Sequence, residues 1–299
     1  MAEGPIHIPV MPQEVMALLN LQPGGIAVDG TVGLAGHALL MAERLGPGGH
    51  LIGIDLDTAS SAEAKGRLSG FDLKADFLQG NFKDIGRLLA AIKVQAADGI
   101  LLDLGISSFQ LDDAQRGFAF SREGPLDMRM DAAQGAPAAD LVNRRSEAEL
   151  AQIIGEYGED RFAKRIAKAI VYRRAQEKIT NTAQLADIIL RALPRGYTRG
   201  KIHPATRAFQ ALRIAVNDEL GSLAKGLEQC FNVLKPGGRL CVIAFHSLED
   251  RIVKNTFRRW TQEGNAQALT KKPLQCSLAE SETNPRSRSA RVRAVQRTI

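Results

Sequence analysis

An open, mostly parallel α/β sheet interrupted by an inserted helical domain is the fold class the sequence predicts, and three observations carry it. Short apolar runs that end in aspartate recur through the first hundred residues, a strand-free helical stretch follows, and a strand then reappears behind a Lys-Pro-Gly-Gly turn. Taking the elements in order, Ile26 to Val28 ends at Asp29-Gly30-Thr31, His50 to Ile54 at Asp55, and Gly99 to Leu102 at Asp103. Each run is the length of a buried parallel strand. Between the first two, Gly36 to Leu45 has helical spacing and is closed by Gly46-Pro47-Gly48-Gly49, and Asp76 to Leu78 supplies a third strand.

The alternation stops near Leu111. From Ala138 to Leu193 the pattern is helical, with Phe162, Ile166 and Ile170 four residues apart. After Pro204, Phe209, Leu212, Val216, Leu220, Leu223, Leu227 and Phe231 step by threes and fours, which predicts one long helix of about six turns. Arg239 to Phe245 reads as the next strand, and Ala268 to Lys272 with Ala290 to Arg297 as an antiparallel edge pair. The expected division is residues 1–112 and 205–299 for the sheet and 113–204 for the insertion.

With 299 residues, 44% hydrophobic and 24% charged, the chain can bury a sizeable core. No apolar stretch is long enough for a membrane span, and residues 1–15 lack the pattern of a signal peptide, so a cytoplasmic location is expected. Cys230, Cys241 and Cys276 are odd in number and show no C-x-x-C spacing, which argues against disulfides and zinc. The net charge is +6. Basic residues cluster at Arg161, Lys164, Arg165, Lys168, Arg173 and Arg174, at Arg195, Arg199, Lys201 and Arg207, and along the tail from Arg286 to Arg297. Each cluster reads either as part of a phosphate-facing surface or as a solvated face.

Ligands of open α/β sheets bind beyond the carboxyl ends of the strands, so those ends are where chemistry is expected. After the first strand, Asp29 to His37 is rich in small residues, including Gly33, Ala35 and Gly36, that let a ligand approach the backbone at a helix start. Asp55 ends the next strand, placed either to accept hydrogen bonds from two ribose hydroxyls or to cap the following helix, a role Asp57 fills equally well. Phe82 follows the third strand and can lie against an adenine or pack in the core. Asp103 follows three apolar residues, where a carboxylate is costly to bury without a partner; it is the best catalytic position in the chain. A nicotinamide enzyme shares the glycine-rich turn and strand-end acid, but Asp29-Gly30-Thr31-Val32-Gly33 is not G-x-G-x-x-G. A non-enzymatic RNA-binding protein would leave the strand-end motifs without purpose.

The chain resembles the bacterial S-adenosylmethionine-dependent 16S rRNA cytidine N4-methyltransferases, the RsmH or MraW family. The resemblance rests on His7 to Val10, Asp29 to His37, Ile100 to Asp112, Arg116 to Phe118, Gly124 to Asp131, Tyr157 to Glu159, Arg161 to Ala163, His203 to Arg207, Phe209 to Ile214, Val216-Asn217, Phe245 to Arg251 and Asn284 to Ala290. These segments run in order through nearly the whole chain. The resemblance implies a Rossmann-like S-adenosylmethionine-dependent methyltransferase sheet with an inserted substrate-recognition domain. It also implies cofactor contacts at Ala35, Gly36, His37, Asp55, Phe82, Asp103 and Gln110, to which the turn itself adds Asp29 and Gly33. Two residues depart from the family pattern: Ala35 stands where relatives often have glycine, and Phe109 replaces a frequent proline ahead of Gln110.

Methyl transfer from a sulfonium is an in-line displacement that mainly requires alignment, and it needs no metal. The exocyclic amine of cytosine is a poor nucleophile, and an acceptor aimed at its N–H would assist it. The Asp103 to Ser108 loop is the expected source, through a backbone carbonyl, Ser107 or the Asp103 carboxylate. Arg207, Arg213, His246, Arg286 and Arg288 are candidate contacts to RNA phosphates, with His246 read equally as a packed histidine. Asp112, Asp113, Asp127 and Asp131 are expected in loop-ordering ion pairs with Arg116 and Arg129 rather than in a magnesium site. The expected partner is 16S rRNA, within the small ribosomal subunit, and a second copy of the chain is a further candidate.

Overall fold

The computed structural model describes residues 8–194 and 203–299, so His7 and the basic residues Arg195, Arg199 and Lys201 lie outside the described residues. The strands are β1 (Ile26–Asp29), β2 (His50–Asp55), β3 (Lys74–Gln79), β4 (Ala97–Asp103), β5 (Leu234–Ala244), β6 (Ala266–Ala268) and β7 (Arg291–Arg297). They form one seven-stranded sheet in the order β3-β2-β1-β4-β5-β7-β6. β1 to β5 run parallel and β7 lies antiparallel to both β5 and β6; an antiparallel edge pair is present as expected, but its first strand is Ala266–Ala268 rather than Ala268 to Lys272. The Lys-Pro-Gly-Gly turn sits inside β5 as an irregularity: Leu234 pairs with Ala97, and regular register resumes with Arg239 opposite Gly99.

The chain divides into two compact units, residues 1–105 with 220–299, and residues 106–219. In the first, alternate strand residues face opposite layers. Val28, Ile100, Leu102 and Val242 join Phe257 and Trp260 of α12 (Ser247–Gln262) in one core, together with α4 (Ile85–Ala91) and α11 (Glu219–Asn232). Ala27, Leu101, Cys241 and Ile243 face the other way, against α1 (Pro12–Leu19), α2 (Gly36–Leu45) and α3 (Thr58–Leu68). α13 (Leu278–Thr283) precedes β7. Both faces of the sheet are apolar because both are covered.

The second unit holds α5 (Ser108–Asp112), α6 (Ala138–Arg144), α7 (Glu147–Gly158), α8 (Ala163–Arg174), α9 (Thr182–Ala192) and α10 (Thr206–Asn217) around a core that includes Leu150, Ile166, Ile170, Leu185 and Phe209. The single long helix expected from Phe209 to Phe231 is two helices, and the correction has a local cause. Asp218 adopts φ 47°, ψ 45°, a left-handed cap that ends α10, and α11 starts at the next residue. Apolar spacing continues through the break, so periodicity alone does not reveal it. The unit boundary accordingly falls at 219/220, and Phe209 and Leu212 of α10 pack in the helical core.

Candidate active site

Three acids expected at strand ends are where the sequence places them, at the last positions of β1, β2 and β4. Asp55 ties the glycine turn to the sheet: Oδ2 accepts from the Gly33 backbone N–H at 2.8 Å and Oδ1 from that of Asp57 at 2.9 Å. Capping of α3 falls to Asp57, whose side chain accepts from Ala59 N–H at 3.0 Å. Asp55 is therefore not needed as the cap, and its oxygens keep lone pairs beyond these two bonds. Burial raises its pKa above the carboxylate norm, against the lowering effect of the two backbone donors.

Gly33 has φ 47°, and Ala35 has φ 64°, ψ 23° immediately before α2, a left-handed conformation that glycine adopts more easily than alanine. Ala35 thus holds its place in the turn with backbone strain. Gly30 is confined more tightly: a Cβ there would stand 2.5 Å from Leu102 and 3.3 Å from the Phe82 Cβ.

The centre of the site is a cluster of buried charge. His37, near the start of α2, is 4% exposed. Its Nε2 lies 2.8 Å from the Val10 carbonyl, which can only accept, so that nitrogen carries a hydrogen. Its Nδ1 lies 3.4 Å from Asp103 Oδ2. Burial opposes a charge on this imidazole, but Asp103, Asp29 and the Val10 carbonyl outweigh it and raise the pKa. Asp29 is 2% exposed, accepts from Thr31 N–H at 3.1 Å, and is pushed by burial to a pKa of about 7, in spite of His37. The Asp103 backbone N–H donates to Thr31 Oγ1 at 2.7 Å, which fixes the turn around the end of β4. One atom has no partner: Asp103 Oδ1 is buried and accepts no hydrogen bond. A buried carboxylate oxygen without a donor is costly, and it suits a ligand that brings a hydrogen donor or positive charge. Thr31 and Val10 lie within segments that carry the resemblance, but sequence reasoning gave neither of them a role of its own.

Other candidates are placed less simply. The Phe82 ring packs against Gly226 of α11, where an added Cβ would come within 2.4 Å of it, and one edge of the residue borders Gly30. Ser107 and Gln110 lie in the second unit, where Gln110 N–H donates to Ser107 Oγ and Ser107 N–H to Gln110 Oε1, both at 3.2 Å. This reciprocal pair caps α5, so the segment ahead of Gln110 is a short helix. Arg207 donates to the Glu159 carbonyl at 3.1 Å. Arg213 makes a bidentate pair with Glu219 at 2.8 and 2.9 Å. His246 caps α12: its Nδ1 accepts from Glu249 N–H, and its Nε2 is 3.3 Å from Glu249 Oε1. Arg286 and Arg288 lie in the turn before β7, with Arg288 donating to the Ser281 carbonyl. Asp127 pairs with Arg129 at 2.8 Å, as expected for loop ordering.

A hollow of about 490 Å³ opens at the opposite, amino ends of β1 and β4, bordered by Asn20, Gly24, Asp98, Lys235 and Arg239. Lys235 pairs there with Asp98 at 2.8 Å, and Asp98 also accepts from Ile26 N–H, so its charge is internally satisfied. The left-handed Ala35 and the orphan acceptor of Asp103 lie at the other end of the sheet, which makes that end the candidate site.

A sheet of this order, with an antiparallel strand between β5 and β6 and with a glycine-bearing turn facing strand-end carboxylates, defines an S-adenosylmethionine-dependent methyltransferase. Residues 5–298 match the MraW methylase family, and the chain belongs to that family. It is 51% identical to Ribosomal RNA small subunit methyltransferase H of Geobacter sulfurreducens, over 97% of this chain and 98% of that one. It is 47% identical to the protein of that name from Symbiobacterium thermophilum, with 97% and 96% covered. Among solved structures, SMU.1697c of Streptococcus mutans, a putative methyltransferase in complex with SAH, aligns over 98% of this chain and 99% of that one at 9% identity and a TM-score of 0.47.

Proposed function

We propose that the cleft at the carboxyl ends of β1, β2 and β4 holds S-adenosylmethionine and that the enzyme methylates N4 of a cytidine in the decoding region of small-subunit ribosomal RNA. The observation that carries the reading of the cleft is the buried, unpartnered Asp103 Oδ1 beside the His37 imidazole. The names of relatives about half identical to this chain, and the motif resemblance, support the RNA substrate. The bound cofactor supplies an electrophilic methyl on a sulfonium whose leaving group is a neutral thioether.

In this reading Asp55 accepts hydrogen bonds from the ribose hydroxyls, and the Gly33 to Gly36 turn lets the ligand lie against backbone. Phe82, whose Cβ borders Gly30, is the further cofactor contact on this unit. His37, held by Val10, keeps positive charge or a donated hydrogen on Asp103 Oδ2 and leaves Oδ1 as the acceptor. Ser107 Oγ already accepts from Gln110 N–H, so of the two side chains considered for the proton-accepting role Asp103 is the better placed. Arg207, Arg286 and Arg288 keep charge near the surface for RNA phosphates. The bidentate Glu219 pair of Arg213 and the capping role of His246 make those two positioning residues.

The test is incubation with labelled S-adenosylmethionine and small ribosomal subunits from cells lacking the enzyme, followed by mapping of the label. Label at a cytidine N4 of the rRNA is expected, and Asp103→Ala should lower turnover on the order of a hundredfold or more. Label on protein or DNA but not on rRNA would overturn the substrate, and near-normal turnover and cofactor affinity in Asp103→Ala would remove Asp103 from the centre of the mechanism.

A further inference from the structure

Helix α8 of the second unit presents a surface that its own stability does not explain. No acid occurs from residue 161 to 176. At about 100° per residue, Lys164, Arg165, Lys168 and Tyr172 fall within an arc of roughly 100°. All four are exposed, Tyr172 by 70%. The opposite side, Ala163, Ile166, Ala167 and Ile170, is buried in the helical core. Like charges therefore meet one turn apart, Lys164 with Lys168 and Arg165 with Lys168, and such pairs work against a helix. Lys164 and Arg165 also stand in the first turn, where the helix dipole disfavours cations.

The neighbouring surface is built differently. Three exposed arginines elsewhere in this unit each pair with an acid one turn away: Arg144 with Asp140, Arg145 with Glu149, Arg191 with Asp187. Even on α8 the last two cations are engaged, Arg173 with Glu177 and Arg174 with the Val142 carbonyl. Among the described residues, Lys164, Arg165 and Lys168 make no ion pair. A cluster unfavourable to its own helix, uncompensated by acids and flanked by an exposed aromatic ring, is complementary to a polyanion that also offers flat apolar faces.

We infer that the exposed face of α8 docks the substrate RNA, with Lys164, Arg165 and Lys168 on successive phosphates and Tyr172 stacked on an unpaired base beside them. The inference rests on the functional reading above and adds where the RNA is gripped away from the reacting base. An acidic lipid surface is the poorer partner, because Tyr172 is the one large apolar side chain on this arc and membrane-seated helices need an apolar stripe.

The experiment measures binding of small-subunit rRNA to the full-length protein between about 50 and 200 mM salt. K164Q/R165Q/K168Q should flatten the log–log salt dependence by roughly two to three units and weaken binding about tenfold or more at the lower salt. Affinity for S-adenosylhomocysteine should stay unchanged, and Tm should hold or rise, because like-charge pairs are removed. Y172A should weaken binding about tenfold without changing the salt slope. An unchanged slope in the triple variant, with wild-type RNA binding intact, overturns the docking face and leaves the methyltransferase reading standing. Failure of the wild type to bind rRNA, naked or in small ribosomal subunits, overturns both the docking face and the rRNA substrate. Binding of anionic phosphatidylglycerol vesicles through these residues, without their contribution to RNA binding, overturns the choice of RNA.

Discussion

Two clusters of buried charge stand in the first unit, and they differ in whether the protein completes them. In one, Asp250 of α12 receives Arg293 at 2.7 and 3.2 Å and Arg291 at 3.3 Å, so both of its oxygens have donors. Arg293 is buried in β7 and joins that strand to α12. In the other, Asp29 and Asp103 lie near one imidazole, that of His37, Asp29 accepts from the Thr31 N–H, and an oxygen of Asp103 is left over. A completed cluster holds elements together; an incomplete one at a strand end is a candidate ligand site.

The largest effect expected from this contrast is structural. Arg293→Ala leaves Asp250 buried without its main partner and should cost about 3 to 5 kcal/mol of stability. Chemical denaturation measures that loss. A fall of less than about 1 kcal/mol, the size of an exposed pair, would show that the Asp250 cluster is no more than a surface interaction.

Acidity distinguishes the clusters by sign. Asp250 is also opposed by burial, but Arg293 and Arg291 hold its pKa below the usual carboxylate value. Its contribution is therefore present above the unfolded value and is lost as pH falls through the folded one. Asp29 runs the other way. Its folded pKa of about 7 lies above its ordinary 3.8, so between those values the folded state holds a proton that the unfolded state has released, and stability declines as pH rises through that window. His37 has the same sense, because an imidazolium favoured in the fold stabilises at low pH and is lost as pH rises through its raised value. Asp29→Asn keeps an acceptor for Thr31 N–H and removes the titration. Its stability should exceed that of wild type at pH 8 by an amount on the order of a few kcal/mol, and the gain should vanish near pH 4. A pH-independent difference would mean that Asp29 stays ionised.

The incomplete cluster was the legible one. Asp29, Asp55 and Asp103 each follow an apolar run, and an acid in that position has few physical options, so local sequence suffices. The completed cluster is not legible: Arg291, Arg293 and Arg297 read from sequence either as part of a phosphate-facing tail or as a solvated face. In the fold Arg293 is buried against Asp250, 43 residues earlier, and Arg297 donates to the Phe231, Asn232 and Leu234 carbonyls. No local pattern announces a partner that strand pairing brings together. The same distance hides the Val10 carbonyl from His37, whereas the break at Asp218 is local and is hidden by apolar spacing that continues through it.

The smallest expected effect concerns the turn that carries the incomplete cluster. Ala35 holds φ 64° immediately ahead of Gly36 and His37, in a region where a Cβ costs about 1 to 2 kcal/mol. Ala35→Gly relieves that strain, while the greater freedom of glycine in the unfolded chain returns about 0.5 to 1 kcal/mol of the gain. The net stabilisation should be about 1 kcal/mol or less, read as a small rise in Tm, with cofactor affinity held or improved because the backbone is left more open to the ligand. Ala35 is itself fully buried, so a loss of stability would mean that its methyl group contributes more by packing than its left-handed backbone costs. The strain at this turn would then be a by-product of core packing, and the case for a turn shaped around a ligand would rest on Gly33, Asp55 and Asp103 alone.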